Sequence, residues 1–328
     1  MDKEKMKVFI TGSAGFIGMH LASMFIKEGH EVVSIDSLLS SYGGNLPRKR
    51  SEYLLREFNH KIRIADINLL DESDLLNFIG ASDLLIHLAA WPGVRQGQAL
   101  PSKYSLNNIV AFSRIIAAVH SLQLPKFFFA SSSSIYGDLG LDGPVKETDA
   151  TGTNLKSHYA VNKWMNELEA KSYGDLGSTS IVALRFFTAY GPWGRPDMAY
   201  WTFLEKIFRG EVIELYGENG GWRNFTFIAD LVNIVHQLSQ TDMKKNYQAL
   251  NIACGSPIET VEMLSLIHKI SGIKDLKINQ VDRPSVDVEK TWANLESLKS
   301  IIALPTPTSM ETGLGSFFDW FIKNKEKS

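Results

Sequence analysis

Residues able to do chemistry gather in two places along the chain. An apolar run, KFFFASSSS, ends in four serines, Ser131 to Ser134, and the later stretch SHYAVNKWMNELEA carries Tyr159 and Lys163 four residues apart. Positions four apart share one face of a helix. Because this helix follows the serine strand, a hydroxyl, a phenol and an ammonium can converge there. An ammonium beside a phenol favours the phenolate and lowers its pKa from about 10. Tyr159 then suits a general base acting on an alcohol whose carbon gives up a hydride. The opening FITGSAGFIG offers a place for the hydride acceptor. Gly12, Gly15 and Gly18 stand where a strand, Lys7 to Thr11, turns into a helix over roughly Phe16 to Glu28. Glycines in such a turn let backbone N–H groups approach a pyrophosphate at a helix N-terminus. EVVSID then ends in Asp36, whose carboxylate can accept from adenosine ribose hydroxyls and repel a 2′-phosphate, so NAD is the expected cofactor.

The elements that must hold these groups follow an alternating rhythm. KIRIADI, DLLIHLAA, KFFFASSSS and SIVALRFF read as the third to sixth strands, with DESDLLNFI and NNIVAFSRIIAAVHSL as helices between them. In the latter, Ile109, Phe112, Ile115, Ile116 and Val119 fall on one face. The predicted fold is α/β, a Rossmann-like doubly wound parallel sheet with a smaller mixed α/β C-terminal substrate domain. Past Tyr190, GPWGRPDM concentrates proline and glycine and marks a loop. Residues 1–186 with 226–256 are assigned to the NAD-binding domain, and residues 187–225 with 257–328 to the substrate domain. Ligands of such sheets lie beyond the carboxyl ends of the strands, where the smaller domain would close over them.

With 328 residues, 44% of them hydrophobic, the chain can bury a large core. A net charge of -2 gives no basic field for nucleic acid. The single cysteine, Cys254, reads as a small core residue, and no Cys/His spacing suggests a metal. The opening MDKEKMK precedes too short an apolar run for a signal peptide or membrane helix, so a cytoplasmic protein without membrane association is expected. The run Pro47, Arg48, Lys49, Arg50 reads as a solvated face, and His87 and His158 as structural residues.

The glycine turn, the serine strand, the YxxxK helix and a smaller C-terminal domain together resemble the nucleotide-sugar epimerases and dehydratases of the extended short-chain dehydrogenase/reductase superfamily. HLAAWPGVR, ASSSSIYG, YAVNK and LRFFTAYGPWGRPDMA are most similar to UDP-glucuronate 4-epimerases. The resemblance implies NAD-dependent epimerisation at carbon 4 of a UDP-sugar, with UDP-glucuronate as substrate and UDP-galacturonate as product, through a transient 4-keto sugar. It makes Ser132, Tyr159 and Lys163 catalytic. Phe16 and Ile17 of the turn, Asp66, Ile67, Leu88, Ala89, Ala90 and Asn108 join the glycines, Asp36, Tyr159 and Lys163 at the cofactor. Arg95, Ser132, Ser133, Thr188 and Arg195 would meet the sugar, and Arg223, Arg283 and Asp287 the nucleotide. The helices near Asn107–Leu122 and Ser157–Ser172 match those that pair across a two-fold axis, which implies a homodimer.

Other outcomes stay open at this point. Dehydratases of the superfamily carry an Asp-Glu pair after the catalytic residue, and decarboxylases keep the Glu; here those places hold Ser133 and Ser134. Epimerisation is favoured on that ground over dehydration or decarboxylation. UDP-glucose or UDP-N-acetylglucosamine would not require Arg195. The segment VDRPSVDVEK is spaced more as in dehydratases, which leaves the base open. A dinucleotide-binding sensor is the reading outside enzymes, although such relatives lose the Tyr or the Lys.

Overall fold

The computed structural model describes residues 5–139, 143–243 and 246–325; residues 1–4 of the charged opening lie outside them. The first six strands are β1 (Lys7–Thr11), β2 (Glu31–Asp36), β3 (Arg63–Ile64), β4 (Leu84–His87), β5 (Lys126–Ser132) and β6 (Ser180–Phe186). Short strands follow: β7 (Thr188–Tyr190), β8 (Ile213–Tyr216), β9 (Trp222–Arg223) and β10 (Phe225–Phe227). β11 (Tyr247–Ile252) returns to the main sheet, and β12 (Ile258–Glu259), β13 (Ile278–Val281) and β14 (Lys290–Thr291) complete the series. The main sheet is parallel throughout, in the order β11-β6-β5-β4-β1-β2-β3. This is the expected Rossmann-like sheet. The strand order reverses between β1 and β4, and the crevice beyond their carboxyl ends is where such sheets take ligands.

Helices cover both faces. They are α1 (Phe16–Lys27), α2 (Leu46–Phe58), α3 (Glu72–Ile79), α4 (Val94–Ala99), α5 (Pro101–Ser105), α6 (Ala111–Ser121) and α7 (His158–Leu176). The C-terminal half adds α8 (Ala199–Arg209), α9 (Ile228–Ser239), α10 (Thr260–Ser271), α11 (Glu296–Lys299) and α12 (Met310–Lys325). Three successive phenylalanines in β5, Phe127 to Phe129, are all fully buried. A strand covered on both sides can be apolar without alternation. Phe128 packs with α1 and α9 residues such as Leu21 and Leu231, while Phe127 and Phe129 pack with Phe112 and Ile116 of α6. A third core, around Tyr200, Leu204, Met263 and Phe317, joins α8, α10 and α12. Three small sheets lie in this half: the parallel pairs β10 beside β7 and β8 beside β13, and a mixed sheet with β9 between antiparallel β12 and parallel β14.

Three elements depart from expectation. The third strand shrinks to Arg63–Ile64, because it is an edge strand that pairs only with Ile35 and Asp36 at the end of β2. The helix expected from Asn107 begins at Pro101 and passes through a π-helical turn, Leu106–Val110, before α6. β11 is a seventh strand beyond the six read from the sequence; Tyr247, Gln248 and Ala249 are each half-buried, which blunts its apolar signal. Cys254 is buried, with Sγ 3.5 Å from the Pro305 carbonyl. No described helix is long and apolar enough to cross a membrane.

Candidate active site

One cavity of about 870 Å³ runs from the glycine turn, past the end of β5, to β8 and β9. Every site residue expected from the sequence lines it except Asn108. Its floor at the cofactor end depends on missing side chains. Gly12 sits at φ +72, and a Cβ there would lie 2.6 Å from Ala89 N; a Cβ on Gly18 would collide with the Gly12 carbonyl oxygen. The turn therefore closes only with glycine at both places, leaving the α1 N-terminus open to a phosphate. Asp36 is held by two backbone donors, Ala14 N to Oδ2 at 2.9 Å and Leu38 N to Oδ1 at 2.7 Å. Burial raises its pKa and these donors oppose the rise. Each oxygen keeps lone pairs for a ribose. Asp66 lies across the groove, its Oδ1 accepting from Asn68 N at 2.9 Å. The cradle fits a dinucleotide.

At the strand end, α7 grips β5. The Ser157 hydroxyl caps the helix by accepting from Ala160 N, which sets Tyr159 and Lys163 in its first two turns. Lys163 Nζ donates to the Ala130 carbonyl at 2.7 Å, and Ser131 Oγ donates to Glu167 one turn further on. Glu167 is in turn paired with Arg185 of β6 at 2.7 Å, both side chains almost wholly buried. The next strand residue, Ser132, accepts at Oγ from Ser134 N at 3.1 Å and Ser134 Oγ at 2.9 Å. Its own hydrogen is then available for its hydrogen bond with the Tyr159 phenol.

The electrostatics correct one expectation. Burial raises the Tyr159 pKa above its ordinary value, opposed by the Arg195 guanidinium and the Ser132 hydrogen bond. Lys163, expected to depress it, instead stands 5.9 Å from the ring centroid and donates to the Ala130 carbonyl. Burial brings Lys163 itself down to about 8, partly offset by the Glu167 charge. Desolvation outweighs the ammonium here, and the cation acting on the phenol is Arg195.

The remaining residues divide by partner. Arg195 forks onto Asp197 at 3.0 and 2.5 Å. Arg95 and Asp287, both expected on the substrate, hold each other at 2.6 Å, and Arg95 also covers the Tyr216 ring at 4.5 Å. Arg223 donates to the carbonyls of Trp222, Glu289 and Val288, and Arg283 pairs with Glu289 at 3.3 Å. Thr188 lies in β7 with its N–H on the Asn224 carbonyl. Asn108 is a correction. It lies behind the cavity wall, where its amide clasps the Trp91 main chain at 2.7 and 3.0 Å, so it shapes the loop after β4 and does not face the cofactor. Arg50 is another: far from solvated, it is fully buried and spends its donors on Ala14, Tyr42, Trp193 and Gly194. No local signal in PRKR separates it from the exposed Arg48. Asp197 and Tyr216 were also missed; the RPD of GRPDM was the available hint for Asp197.

Comparison with known proteins bears on this geometry. The model of the NAD dependent epimerase/dehydratase family matches residues 8–253. The chain belongs to that family. It is 32% identical to the protein CapI of Staphylococcus aureus over 98% of this chain and 100% of the relative. It is 31% identical to a probable UDP-glucuronate 4-epimerase of Rhizobium meliloti, covering 98% and 99% respectively. The crystal structure of UDP-glucuronic acid 4-epimerase from Bacillus cereus, in complex with UDP-glucuronic acid and NAD, superposes with a TM-score of 0.88. That pair is 30% identical, over 97% of this chain and 100% of the other.

Proposed function

We propose that this protein is an NAD-dependent 4-epimerase of UDP-sugars whose substrate is UDP-glucuronate and whose product is UDP-galacturonate. The observation that carries the reading is the convergence of Ser132, Tyr159 and Arg195 at the waist of one cavity. The likeness to a probable UDP-glucuronate 4-epimerase and to the Bacillus cereus enzyme with UDP-glucuronic acid and NAD supports it. The glycine turn, Asp36, Asp66 and Lys163 would hold NAD, which when bound would supply the hydride acceptor and donor for carbon 4, inversion requiring the 4-keto sugar to turn over in the cavity between the two transfers. Tyr159, whose phenolate is favoured by Arg195 and Ser132 and would be favoured further by the positive ring of bound NAD, takes the proton of the 4-hydroxyl and gives it back when the 4-keto sugar is reduced. Lys163 keeps β5 and the phenol in register through its hydrogen bond to the Ala130 carbonyl. Arg195 and Thr188 hold the sugar carboxylate. A 4-keto uronate is a β-keto acid, so fixing the carboxylate keeps its carbon–carbon bond out of line with the ketone and guards against loss of carbon dioxide. Arg223 and Arg283 face the diphosphate, and Arg95 and Asp287 close the mouth.

Dehydration or decarboxylation is disfavoured by charge. Among the described residues, the carboxylates lining the cavity are Asp36 and Asp66 at the cofactor end, Asp197 and Asp287 tied to arginines, and Glu214 on β8. None stands beside Ser132 to act with Ser133 and Ser134. The cores support assigning residues 1–186 with 226–256 to the cofactor and residues 187–225 with 257–328 to the nucleotide sugar, although Leu298 and Ile302 pack on the first core. The exposed apolar side chains of Leu106 and Val110 on the π turn, and of Val161, Met165 and Leu168 on α7, support a homodimer joined through these helices. Light scattering returning 36.7 kDa, the mass of one chain, would rule the dimer out.

The deciding experiment incubates the protein with UDP-glucuronate, UDP-glucose and UDP-N-acetylglucosamine separately and resolves the 4-epimers by chromatography. Conversion of UDP-glucuronate well ahead of the others is expected. Conversion of only the neutral sugars would sink the acidic-sugar reading.

A further inference from the structure

Arg50 is the most enclosed charged side chain among the described residues, at 0% exposure, and no carboxylate is among its hydrogen-bond partners. From α2, Nε and Nη2 both donate to the Trp193 carbonyl, at 3.0 and 2.7 Å. Nη2 also reaches Gly194 O at 2.8 Å, and Nη1 reaches Ala14 O at 3.2 Å and the Tyr42 hydroxyl at 3.1 Å. A buried guanidinium is costly unless it is compensated, and here the compensation is the charge of the nearby Asp36 carboxylate together with hydrogen bonds to main-chain carbonyls, which the fork in turn holds in place.

One of these carbonyls needs holding. Trp193 is in the left-handed region at φ +61, unfavourable for a side chain of its size, and its carbonyl takes two of the five bonds. Two residues later comes Arg195, whose guanidinium lies beside Tyr159 and lines the cavity. Ala14 belongs to the glycine turn, and its N–H is the donor to Asp36. One planar fork thus joins the cofactor floor to the backbone that presents Arg195. A lysine, a single point donor, cannot bond all of these carbonyls at once.

We propose that Arg50 is a positioning residue for substrate selection: it fixes the strained Trp193–Gly194 backbone against the glycine turn and so aims Arg195 at the sugar carboxylate. This rests on the acidic-sugar reading above and deepens it. Sugars without a carboxylate do not need Arg195 as a binding contact, so their affinity, though not their rate of turnover, is indifferent to its aim.

The test compares the wild type with Arg50→Lys as NAD-loaded enzymes, measuring Kd for UDP-glucuronate and UDP-glucose by calorimetry, with folding checked by circular dichroism. A displaced charge-assisted contact predicts that Arg50→Lys weakens UDP-glucuronate by about tenfold and UDP-glucose by less than about twofold. In the Arg195→Lys background, Arg50→Lys should add no further loss of selectivity. Equal weakening of both ligands, or an additive loss on top of Arg195→Lys, overturns the proposal and leaves Arg50 a scaffold residue. If Arg50→Lys does not fold, Tyr42→Phe removes the one side-chain acceptor of the fork and should change the ratio in the same direction; an unchanged ratio then overturns it. A wild type without preference for UDP-glucuronate refutes the underlying reading, and the proposal with it. A preference that Arg50→Lys leaves intact refutes the proposal alone.

Discussion

His87 ends β4 directly beneath the cofactor groove, 3% exposed, with Nδ1 2.8 Å from Thr11 Oγ1. Burial, helped by the charge of Lys163, brings its pKa to about 3. In the unfolded chain the imidazole titrates near 6.5, so between these values only the unfolded state takes up the proton. Stability is unaffected above pH 6.5 and falls as pH drops toward 3. At about 1.4 kcal/mol per pH unit, going from pH 7 to pH 5 costs about 2 kcal/mol through this one residue. His87→Gln keeps a hydrogen-bonding group for Thr11 and removes the titration. Urea unfolding at the two pH values, followed by tryptophan fluorescence, should show the wild type losing about 2 kcal/mol more than the variant, since contributions from other groups cancel in the difference. Equal losses, within about 0.5 kcal/mol, would refute the claim that the fold keeps this imidazole neutral.

Other outcomes follow from the same geometry. Glu167→Gln leaves the Arg185 charge buried without its partner and should cost about 3–5 kcal/mol, whereas Glu167→Leu combined with Arg185→Met should cost less; a larger loss in the double variant by thermal melting would contradict this. Gly18→Ala pushes a methyl group against the Gly12 carbonyl. It should lower NAD affinity by about 10–100-fold, and calorimetry giving wild-type affinity would show that the turn can yield. Tyr159→Phe should reduce kcat by about 10²–10⁴ with NAD still bound; a variant of near-normal rate would remove the phenol from the chemistry.

What the sequence disclosed is what depends on near neighbours. The glycine turn, Asp36 and the Tyr159–Lys163 pair are defined by spacings of a few residues along one strand or helix, and each lines the cavity as expected. Arg50 was illegible because its meaning lies in Trp193, 143 residues away. The same holds for Arg95, whose carboxylate is 192 residues distant. The π turn at Leu106–Val110 and the outer strand β11 escaped because neither has a residue pattern of its own; both are set by tertiary packing. The pKa of Tyr159 was misjudged since pairwise charge can be read from spacing, whereas desolvation requires the surrounding walls.

The pairing of Arg95 with Asp287 ties α4 to the segment after β13 across the lining of the cavity. Arg95 keeps about half its side chain in water. Such a clasp contributes about 0–1 kcal/mol, and its stacking on Tyr216 adds about 0.5–1 kcal/mol. Thermal agitation parts a closure this shallow readily, and an anion in solution can compete with Asp287 for the guanidinium. Salt screens a pair this exposed, so this end of the cavity is expected to open more readily as ionic strength rises.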